Sequence, residues 1–201
     1  MEIRYLGHAS FLLTTKKGLR IVTDPYPESI YPHEAVECDI VTQSHSHFDH
    51  CDMSKILGEP VVVTDTGLHE FDGLNIIGIP SYHDNARGAK RGTNTIYLFE
   101  EGNFCVAHLG DLGHLLSVED INALGGKLDV LMIPVGGFYT IEPNFAVEIC
   151  KELAPKRIIP MHYACEGHSM NETIAPLETF LELTKEAGLR NVKPLPPPAL
   201  N

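Results

Sequence analysis

The chain has little positive charge. It carries 15 lysine and arginine residues against 27 aspartate and glutamate residues, which gives a formal net charge of −12 with histidine neutral. Proteins that bind DNA or RNA through the phosphate backbone present a basic surface to it. We therefore expect no nucleic-acid partner.

Long apolar runs are also missing. No uninterrupted apolar segment approaches the roughly 20 residues that a membrane-spanning helix needs. The opening residues 1–7, Met-Glu-Ile-Arg-Tyr-Leu-Gly, lack the basic region followed by an apolar run that marks a secretory signal. The sequence therefore predicts a cytoplasmic protein with no membrane partner.

The cysteines form no Cys-x-x-Cys pair. There are five, an odd number, and their spacing is irregular. This pattern does not indicate a disulfide framework. We expect most of them to be reduced and buried.

Short β-rich runs dominate the first two-thirds of the 201 residues, a length that fits a single domain over residues 1–201. Hairpin turns are predicted at 16–18 and 101–103. Two mixed sheets packed face to face, with helices outside, would accommodate these runs. The predicted strands are 3–6, 11–15, 19–23, 40–42, 60–64, 74–79, 95–99, 104–107, 130–133 and 157–159.

Three helices are predicted in the second half of the chain. Ser117 is expected to cap a short helix that ends near Gly125, and Asn144 to cap a helix that continues to residue 153. A third helix follows Pro176 and ends before Gly188. The proline-rich tail 194–198 predicts an extended surface strap or disorder.

Residues 45–50, His-Ser-His-Phe-Asp-His, place four side chains able to bind metal within six positions. On a helix, His45 and His47 would point about 200° apart, whereas on an extended segment they point the same way. We therefore expect a loop at the end of a strand, with His45 and His47 facing one metal ion. Asp49 and His50 then turn toward a second.

Three further ligand candidates follow predicted strands: His83, Asp111 and His162. Loops at strand ends gather functional groups above a rigid sheet, and zinc commonly takes histidine and carboxylate ligands. His108 is the alternative to His83 as the third ligand of the first metal ion. His114, which also flanks Asp111, could face the same pocket.

Asp24 is predicted to accept an imidazole N–H and fix the orientation of a ligand, with an Asp-Pro turn as the alternative. Asn94, Tyr139 and Tyr163 are predicted to contact the substrate, or else to be hydrogen-bonded core. Arg87, Lys90 and Arg91 could meet an anionic group or be solvated charges. Cys51 could bind a soft metal, but buried packing is favoured. His8 either lines the site or packs in a turn, and His33, His69 and His168 are expected at the surface or behind the ligands.

These motifs, taken in order, resemble the metallo-β-lactamase fold hydrolases over nearly the full chain. The stretches 5–11, Tyr-Leu-Gly-His-Ala-Ser-Phe, and 135–140, Val-Gly-Gly-Phe-Tyr-Thr, resemble a branch that includes a bacterial ascorbate-phosphate lactonase. The resemblance implies an α/β fold of the α+β type, a four-layer αββα sandwich of two mixed β-sheets. It also implies His45, His47 and His83 on one metal ion, Asp49, His50 and His162 on the other, and Asp111 bridging them.

The expected function is hydrolysis of an ester, lactone or phosphodiester of a small molecule by a water that two divalent metal ions activate. Zinc is favoured, with manganese or iron as alternatives. Asp49 would also handle the proton passed to the leaving group. A nuclease-type phosphodiesterase, a non-catalytic metal-binding module and metal redox chemistry remain alternatives. A homo-oligomer stays open.

Overall fold

The computed structural model describes residues 1–126, 128–170, 172–196 and 198. The strands and helices within them follow in chain order. They are β1 (Glu2–Gly7), β2 (Ser10–Thr14), β3 (Arg20–Thr23), β4 (Val36–Glu37), β5 (Ile40–Thr42), β6 (Ile56–Leu57), β7 (Val61–Val63), β8 (Gly67–Phe71), β9 (Leu74–Tyr82), β10 (Thr93–Glu101), β11 (Phe104–His108), α1 (Val118–Ala123), β12 (Val130–Pro134), α2 (Pro143–Leu153), β13 (Arg157–Met161) and α3 (Leu177–Glu186).

The strands form two mixed sheets, as the sequence predicted. The first has the order β1-β2-β3-β5-β7, and the second has the order β13-β12-β11-β10-β9-β8. Each predicted strand is present within one to three residues of its expected bounds. The two predicted hairpin turns join the antiparallel pairs β2–β3 and β10–β11. The short strands β4, β6 and β8 were not predicted.

The first sheet buries both of its faces. Alternation along β3 sends Ile21 into the main core between the sheets and Val22 into a second apolar cluster on the opposite face. Val36 of β4 is part of that second cluster, and Ile56 of β6 packs against it. A two-stranded ribbon therefore covers the outer face of this sheet.

This outer layer differs from the helices that were expected there. The described residues contain no helix before Val118. The segment between β3 and β4 carries Pro25, Pro27 and Pro32, and proline disrupts a helix interior because it lacks an N–H and clashes with the preceding turn. On the second sheet the helices are present: α2 packs on β12, and α3 packs on α2.

The helix ends mostly follow the sequence signals. Ser117 caps α1 and forms a capping box with Asp120. Asn144 is not a cap, because it lies inside α2, which begins at Pro143. The fixed φ of proline suits a first helical turn. Among the described tail residues, 194–196 and 198 form no helix or strand, and residue 197 lies outside the described part. No described helix is long and apolar enough to cross a bilayer.

Candidate metal centre

The predicted ligands gather because their strands run in the same direction. β9 and β11 are both antiparallel to β10, and β11 is parallel to β12, which is parallel to β13. The carboxyl ends of β9, β11 and β13 therefore meet at one edge of the second sheet, where His83, Asp111 and His162 follow. In the first sheet β3 and β5 are parallel, which places Asp24 and His45 at one edge as well.

Three histidines form what we call the open half of the site: His45, His47 and His83. One nitrogen from each lies within 4.8 Å of one nitrogen from the other two. His45 is held through Nδ1, 2.9 Å from the Ser44 hydroxyl. His47 is exposed, so this half faces solvent. The predicted placement of His45 and His47 on one face is consistent with this geometry.

The buried half of the site consists of Asp49, His50 and His162. Their ligand atoms, with one from His8, lie within 4.8 Å of one another. His50 and His162 are almost completely buried, and the side chain of Asp49 is 14% exposed. The His50 and His162 rings stack at 11° between their planes.

Asp111 lies between the two halves. Its Oδ2 is 3.2 Å from Nε2 of His50 and 3.3 Å from Nε2 of both His83 and His162. Burial raises the pKa of this carboxyl, but the neighbouring His162 and His50 outweigh it and hold the pKa well below the usual range. Asp111 is thus an ionised carboxylate that histidines of both halves approach.

The residues present fit a metal centre, as the unpaired polar atoms show. Within the described residues, two buried atoms of this cluster have no hydrogen-bond partner and could meet an ion: His45 Nε2 and Asp111 Oδ1. Nδ1 of His83 and of His162 is also unpaired, although Nε2 is the nitrogen of these rings that lies near Asp111. Leaving such groups unpaired costs about 1–3 kcal/mol each. Histidine nitrogens and carboxylate oxygens are ligands that zinc, manganese and iron accept.

The protonation states of His45 and Asp49 suit metal binding. Burial would lower the pKa of His50, but Asp111 and Asp24 raise it well above the usual value, so an ion bound there would displace a proton. Burial lowers the pKa of His45 to about 3, so its ring is neutral at physiological pH. Burial would raise the pKa of Asp49, but its contact with His8 and the nearby His50 holds it well below the usual value. Metal ions bind neutral imidazoles and ionised carboxylates.

Asp24 contacts His50, one of the predicted ligands. Its Oδ2 accepts from His50 Nδ1 at 2.9 Å and from the Ser44 hydroxyl at 2.6 Å, while Oδ1 accepts from the Ser44 N–H at 2.7 Å. With Nδ1 donating to Asp24, Nε2 is the His50 nitrogen left for an ion, and it faces Asp111. Asp24 thereby aims a ligand atom into the site.

A second chain of contacts ends on Asp49, and the sequence did not reveal it. The backbone N–H of Met170 donates to Nδ1 of His168, which leaves His168 with its proton on Nε2. That proton is donated to Nδ1 of His8 at 3.0 Å, so His8 carries its own proton on Nε2. His8 Nε2 then lies 3.3 Å from Asp49 Oδ2. Burial lowers the pKa of His8 to about 3 and of His168 to about 4, so both rings are neutral.

Three residues of the site adopt positive φ: His8 (53°), Asp24 (40°) and His162 (53°). This region is uncommon for residues other than glycine, and such strain is concentrated at functional sites. The His162 N–H donates to the His8 carbonyl at 2.8 Å, which fixes two of these residues together.

Gly110 allows the two sheets to approach beside Asp111. A Cβ on Gly110 would clash with the amide oxygen of Asn94 and lie 2.6 Å from Cβ of Ser44. Its φ is +55°, which glycine adopts without strain.

Asn94 does not lie where a substrate-contacting residue was expected. It is 1% exposed, and its amide nitrogen donates to the Ser81 hydroxyl and the Leu109 carbonyl. Its oxygen accepts the Asp111 N–H at 2.9 Å. The amide is therefore fully used in holding the Gly110-Asp111 turn, and the expectation of a substrate contact is corrected to a positioning role.

The two tyrosines predicted to contact the substrate lie in different places. Tyr139 lines a cavity of about 470 Å³ together with His83, and its contact with a substrate stays a prediction. Tyr163 lines a separate cavity with Cys165 and the tail residue Pro196, and its ring packs near Tyr5. That second cavity contains none of the predicted ligands, so Tyr163 is corrected to a residue behind the site.

The alternative ligand candidates already have hydrogen-bond partners. His108 Nε2 lies 2.7 Å from the Ala9 carbonyl and its Nδ1 accepts the Gly110 N–H, which favours His83 as the third ligand of the open half. His114 bonds the Leu115 carbonyl and the Tyr82 N–H, so neither nitrogen is available to a ligand. Burial raises the pKa of the Cys51 thiol, and its sulfur points to the Ser46 carbonyl.

Comparison with known proteins indicates the same superfamily as the sequence motifs. A family model described as beta-lactamase superfamily domain matches residues 2–162. Proteins named UPF0173 metal-dependent hydrolase, from Thermococcus onnurineus and Pelotomaculum thermopropionicum, are 28% and 33% identical over 191 and 199 residues, each covering 81% of this chain and 84% of the relative. The lactonase branch is named by none of these, so that resemblance stays a prediction.

A solved structure is also similar. It is that of a proposed zinc-dependent hydrolase of the metallo-β-lactamase superfamily from Thermotoga maritima. The two chains are 38% identical with a TM-score of 0.74, covering 90% of this chain and 84% of the other.

Proposed function

Because the chain belongs to the beta-lactamase superfamily, and within it to the UPF0173 metal-dependent hydrolases, we propose that it is a two-metal hydrolase. Its substrate would be an ester, lactone or phosphodiester of a small molecule. The observation that carries the proposal is the position of Asp111 Oδ2, 3.2–3.3 Å from Nε2 of histidines in both halves of the site. A single shared carboxylate oxygen is the arrangement expected of a ligand between two ions.

When bound, two divalent ions would lower the pKa of a water toward about 7 and so supply a nucleophile at neutral pH. Zinc is the proposed metal, because histidine and carboxylate ligands suit it and because the similar Thermotoga maritima protein is described as zinc-dependent. Manganese and iron accept the same ligands.

In this proposal, each half of the site holds one metal ion. The open half would hold one ion through three imidazoles, and the buried half would hold the other through Asp49, His50 and His162. Asp24 and His8 would keep His50 and Asp49 oriented through the hydrogen bonds described above. Outer partners of this kind fix ligand geometry and strengthen binding.

Asp49 is also the proposed proton carrier. The side chains of His50 and Asp111 are 0% and 3% exposed, whereas that of Asp49 is 14% exposed. Within the buried half, Asp49 is therefore the acidic group that a leaving group can reach. Its depressed pKa keeps it ionised, so it would hold a proton only briefly before passing it to the leaving group.

The cavities beside the ligands favour a small substrate. One of about 320 Å³ is lined by His45 and His47, and one of about 470 Å³ is lined by His83. Ligand pockets for small molecules have volumes of about 300–1,000 Å³. Access to the histidines from both sides supports catalysis over simple metal storage.

The test begins with metal analysis of the purified native protein. We expect two equivalents of metal, loss of hydrolysis on treatment with a chelator, and recovery on adding back zinc, manganese or iron. The screen covers esters, lactones, thioesters, phosphodiesters and phosphonates. Full turnover by metal-free protein would contradict the proposal.

A further inference from the structure

Arg91 stands between the two cavities that flank the histidines. It lines the smaller cavity together with His45 and His47. It also lines the larger cavity together with His83 and Tyr139. A molecule that reaches the histidines from either side therefore passes this guanidinium.

The loop that carries Arg91 is built around a buried carboxylate. Oδ2 of Asp84 accepts the backbone N–H groups of Arg91 and Lys90 at 2.7 and 2.8 Å. Oδ1 accepts those of Ala86 and Gly88 at 2.7 and 2.9 Å. The charge of Asp84 is thus used by backbone donors and fixes the position of the loop directly after His83.

Within the described part of the chain, the Arg91 guanidinium forms no ion pair with an acidic side chain. Its Cζ lies 5.6 Å from the centre of the Tyr139 ring, a cation–π distance. Among the arginines of the described residues, Arg20 forms ion pairs, with Glu37 and Asp39, and Arg91 forms none. Arg91 is therefore held in place, yet its charge is uncompensated in a chain of net charge −12.

The larger cavity also has an apolar wall. Phe138, Leu115 and Phe145 line it and remain 58%, 44% and 38% exposed. Phe138 adopts φ of +56°, a region that is strained for an aromatic residue. Strained and exposed aromatic side chains beside a site indicate a role in binding.

We propose that Arg91 binds an oxyanion group of the substrate, carboxylate or phosphate, while Phe138, Leu115 and Phe145 receive an apolar part. The substrate is then a small organic anion with an apolar portion. Arginine suits such groups because its planar fork donates two parallel hydrogen bonds. The inference rests on the proposed function, since the scissile bond must lie at the histidines.

The experiment compares three aryl esters of equal size on the metal-loaded protein. One ends in a carboxylate, one in a phosphonate and one in a neutral carboxamide. We expect Arg91→Gln to lower kcat/KM for the two anionic esters about 10- to 100-fold, mainly through KM, since charged hydrogen bonds of this kind are strong. The neutral ester should change by less than about twofold, and Arg91→Lys should recover part of the loss because the charge remains.

Arg87→Gln is the matched control. Arg87 belongs to the same loop, is exposed and lines neither cavity. Its replacement should leave all three esters unaffected. An equal loss for neutral and anionic esters in Arg91→Gln, or no loss for any, would overturn the proposal.

A binding measurement separates this inference from the proposed function. Benzoate, phenylphosphonate and benzamide are titrated into wild type and Arg91→Gln by calorimetry. We expect the wild type to bind the two anions at least tenfold more tightly than benzamide, and the variant to lose that preference. If no substrate of the hydrolase screen is hydrolysed but this preference is found, the hydrolase proposal fails and the anion site stands. Equal binding of the three probes by the wild type would disprove the anion site.

Discussion

The open and buried halves of the site are organised differently. In the buried half, His50 is held by Asp24, and Asp49 is contacted by His8, which His168 orients in turn. In the open half, His45 has a hydroxyl partner and His47 is exposed. One histidine of each half, His83 and His162, has an Nδ1 without a partner within the described residues. Asp49 and His50 are therefore held by partners from distant segments, whereas the exposed His47 leaves the open half accessible to a ligand.

This difference shows how one loop can contribute to two halves of a site that are organised differently. Residues 45–50 contribute to both halves, but only the end that enters the core acquires hydrogen-bond partners from distant segments. A rigid half can hold an ion strongly, while an open half can exchange ligands during turnover. We expect the metal of the open half to dissociate first on dilution or chelation.

The largest effect should come from Asp111, which joins the halves. Asp111→Asn removes the charge that both sets of histidines face, so we expect more than about a 100-fold loss of metal affinity at both positions and loss of turnover, beyond what outer partners cost. Elemental analysis and a chelator competition measure this. The control is Asp129→Asn: Asp129 is also buried but binds Lys156 and the Cys105 N–H instead. Retention of one metal ion by Asp111→Asn would show that the halves do not share this ligand.

The same substitution in each half should have unequal effects on folding. His50→Ala leaves the buried Asp24 without its imidazole partner, and breaking a buried pair costs about 3 kcal/mol. His47→Ala affects an exposed ring and should change the free energy of unfolding by no more than about 0.5 kcal/mol. Urea unfolding of chelator-treated protein gives both values. Equal losses would mean that the buried half is no better organised than the open half.

A smaller effect should follow from removing the outermost partner of the buried half. His168→Gln interrupts the hydrogen-bond chain to His8 and Asp49, and we expect about a tenfold loss of affinity for the metal of that half. The ¹⁵N NMR signals of the wild-type imidazoles should show both His8 and His168 protonated on Nε2.

His69→Gln provides the comparison for this variant. His69 lies on β8 and pairs with Asp65, away from the cluster, so its loss should not change metal affinity. If His168→Gln and His69→Gln bind metal equally well, the chain through His168 does not position Asp49.

The smallest expected effect concerns Asp84, which holds the loop behind the open half. Hydrogen bonds from backbone N–H groups outweigh the effect of burial and lower its pKa to about 2, below the value of about 4 expected when unfolded. A depressed folded pKa stabilises the protein above the unfolded pKa, and this stability is lost as pH falls from about 4 to about 2. Asp84→Asn should therefore be less stable than wild type at pH 6, with the gap narrowing over that window in urea titrations. A gap independent of pH would show that the charge of Asp84 contributes nothing.

The sequence was most informative where local patterns determine structure. Strand periodicity and the spacing of two between His45 and His47 predicted a strand-end loop, and the parallel strands bring His83, Asp111 and His162 to it. Whether these residues bind metal remains a prediction that metal analysis can test.

Long-range partners could not be predicted in the same way. His8 and His168 are 160 positions apart, and nothing local distinguishes His168 from a surface histidine. The three internal partners of Asn94 come from β9 and from the turn after β11. The sequence alone does not bring these segments together, so Asn94 looked available for a substrate. The choice between His83 and His108 likewise depended on the Ala9 carbonyl, 99 residues from His108.

Gly110 has a consequence for the spacing of the whole site. The backbone there follows β11 of the second sheet, and the nearest atoms belong to Asn94 of that sheet and to Ser44, which follows β5 of the first. The distance between the loops that carry His45 and Asp111 thus depends on the absence of a Cβ at Gly110. A side chain at this position would push the two sheets apart. The predicted ligands carried by the first sheet would then move away from those carried by the second, although every ligand residue would still be present.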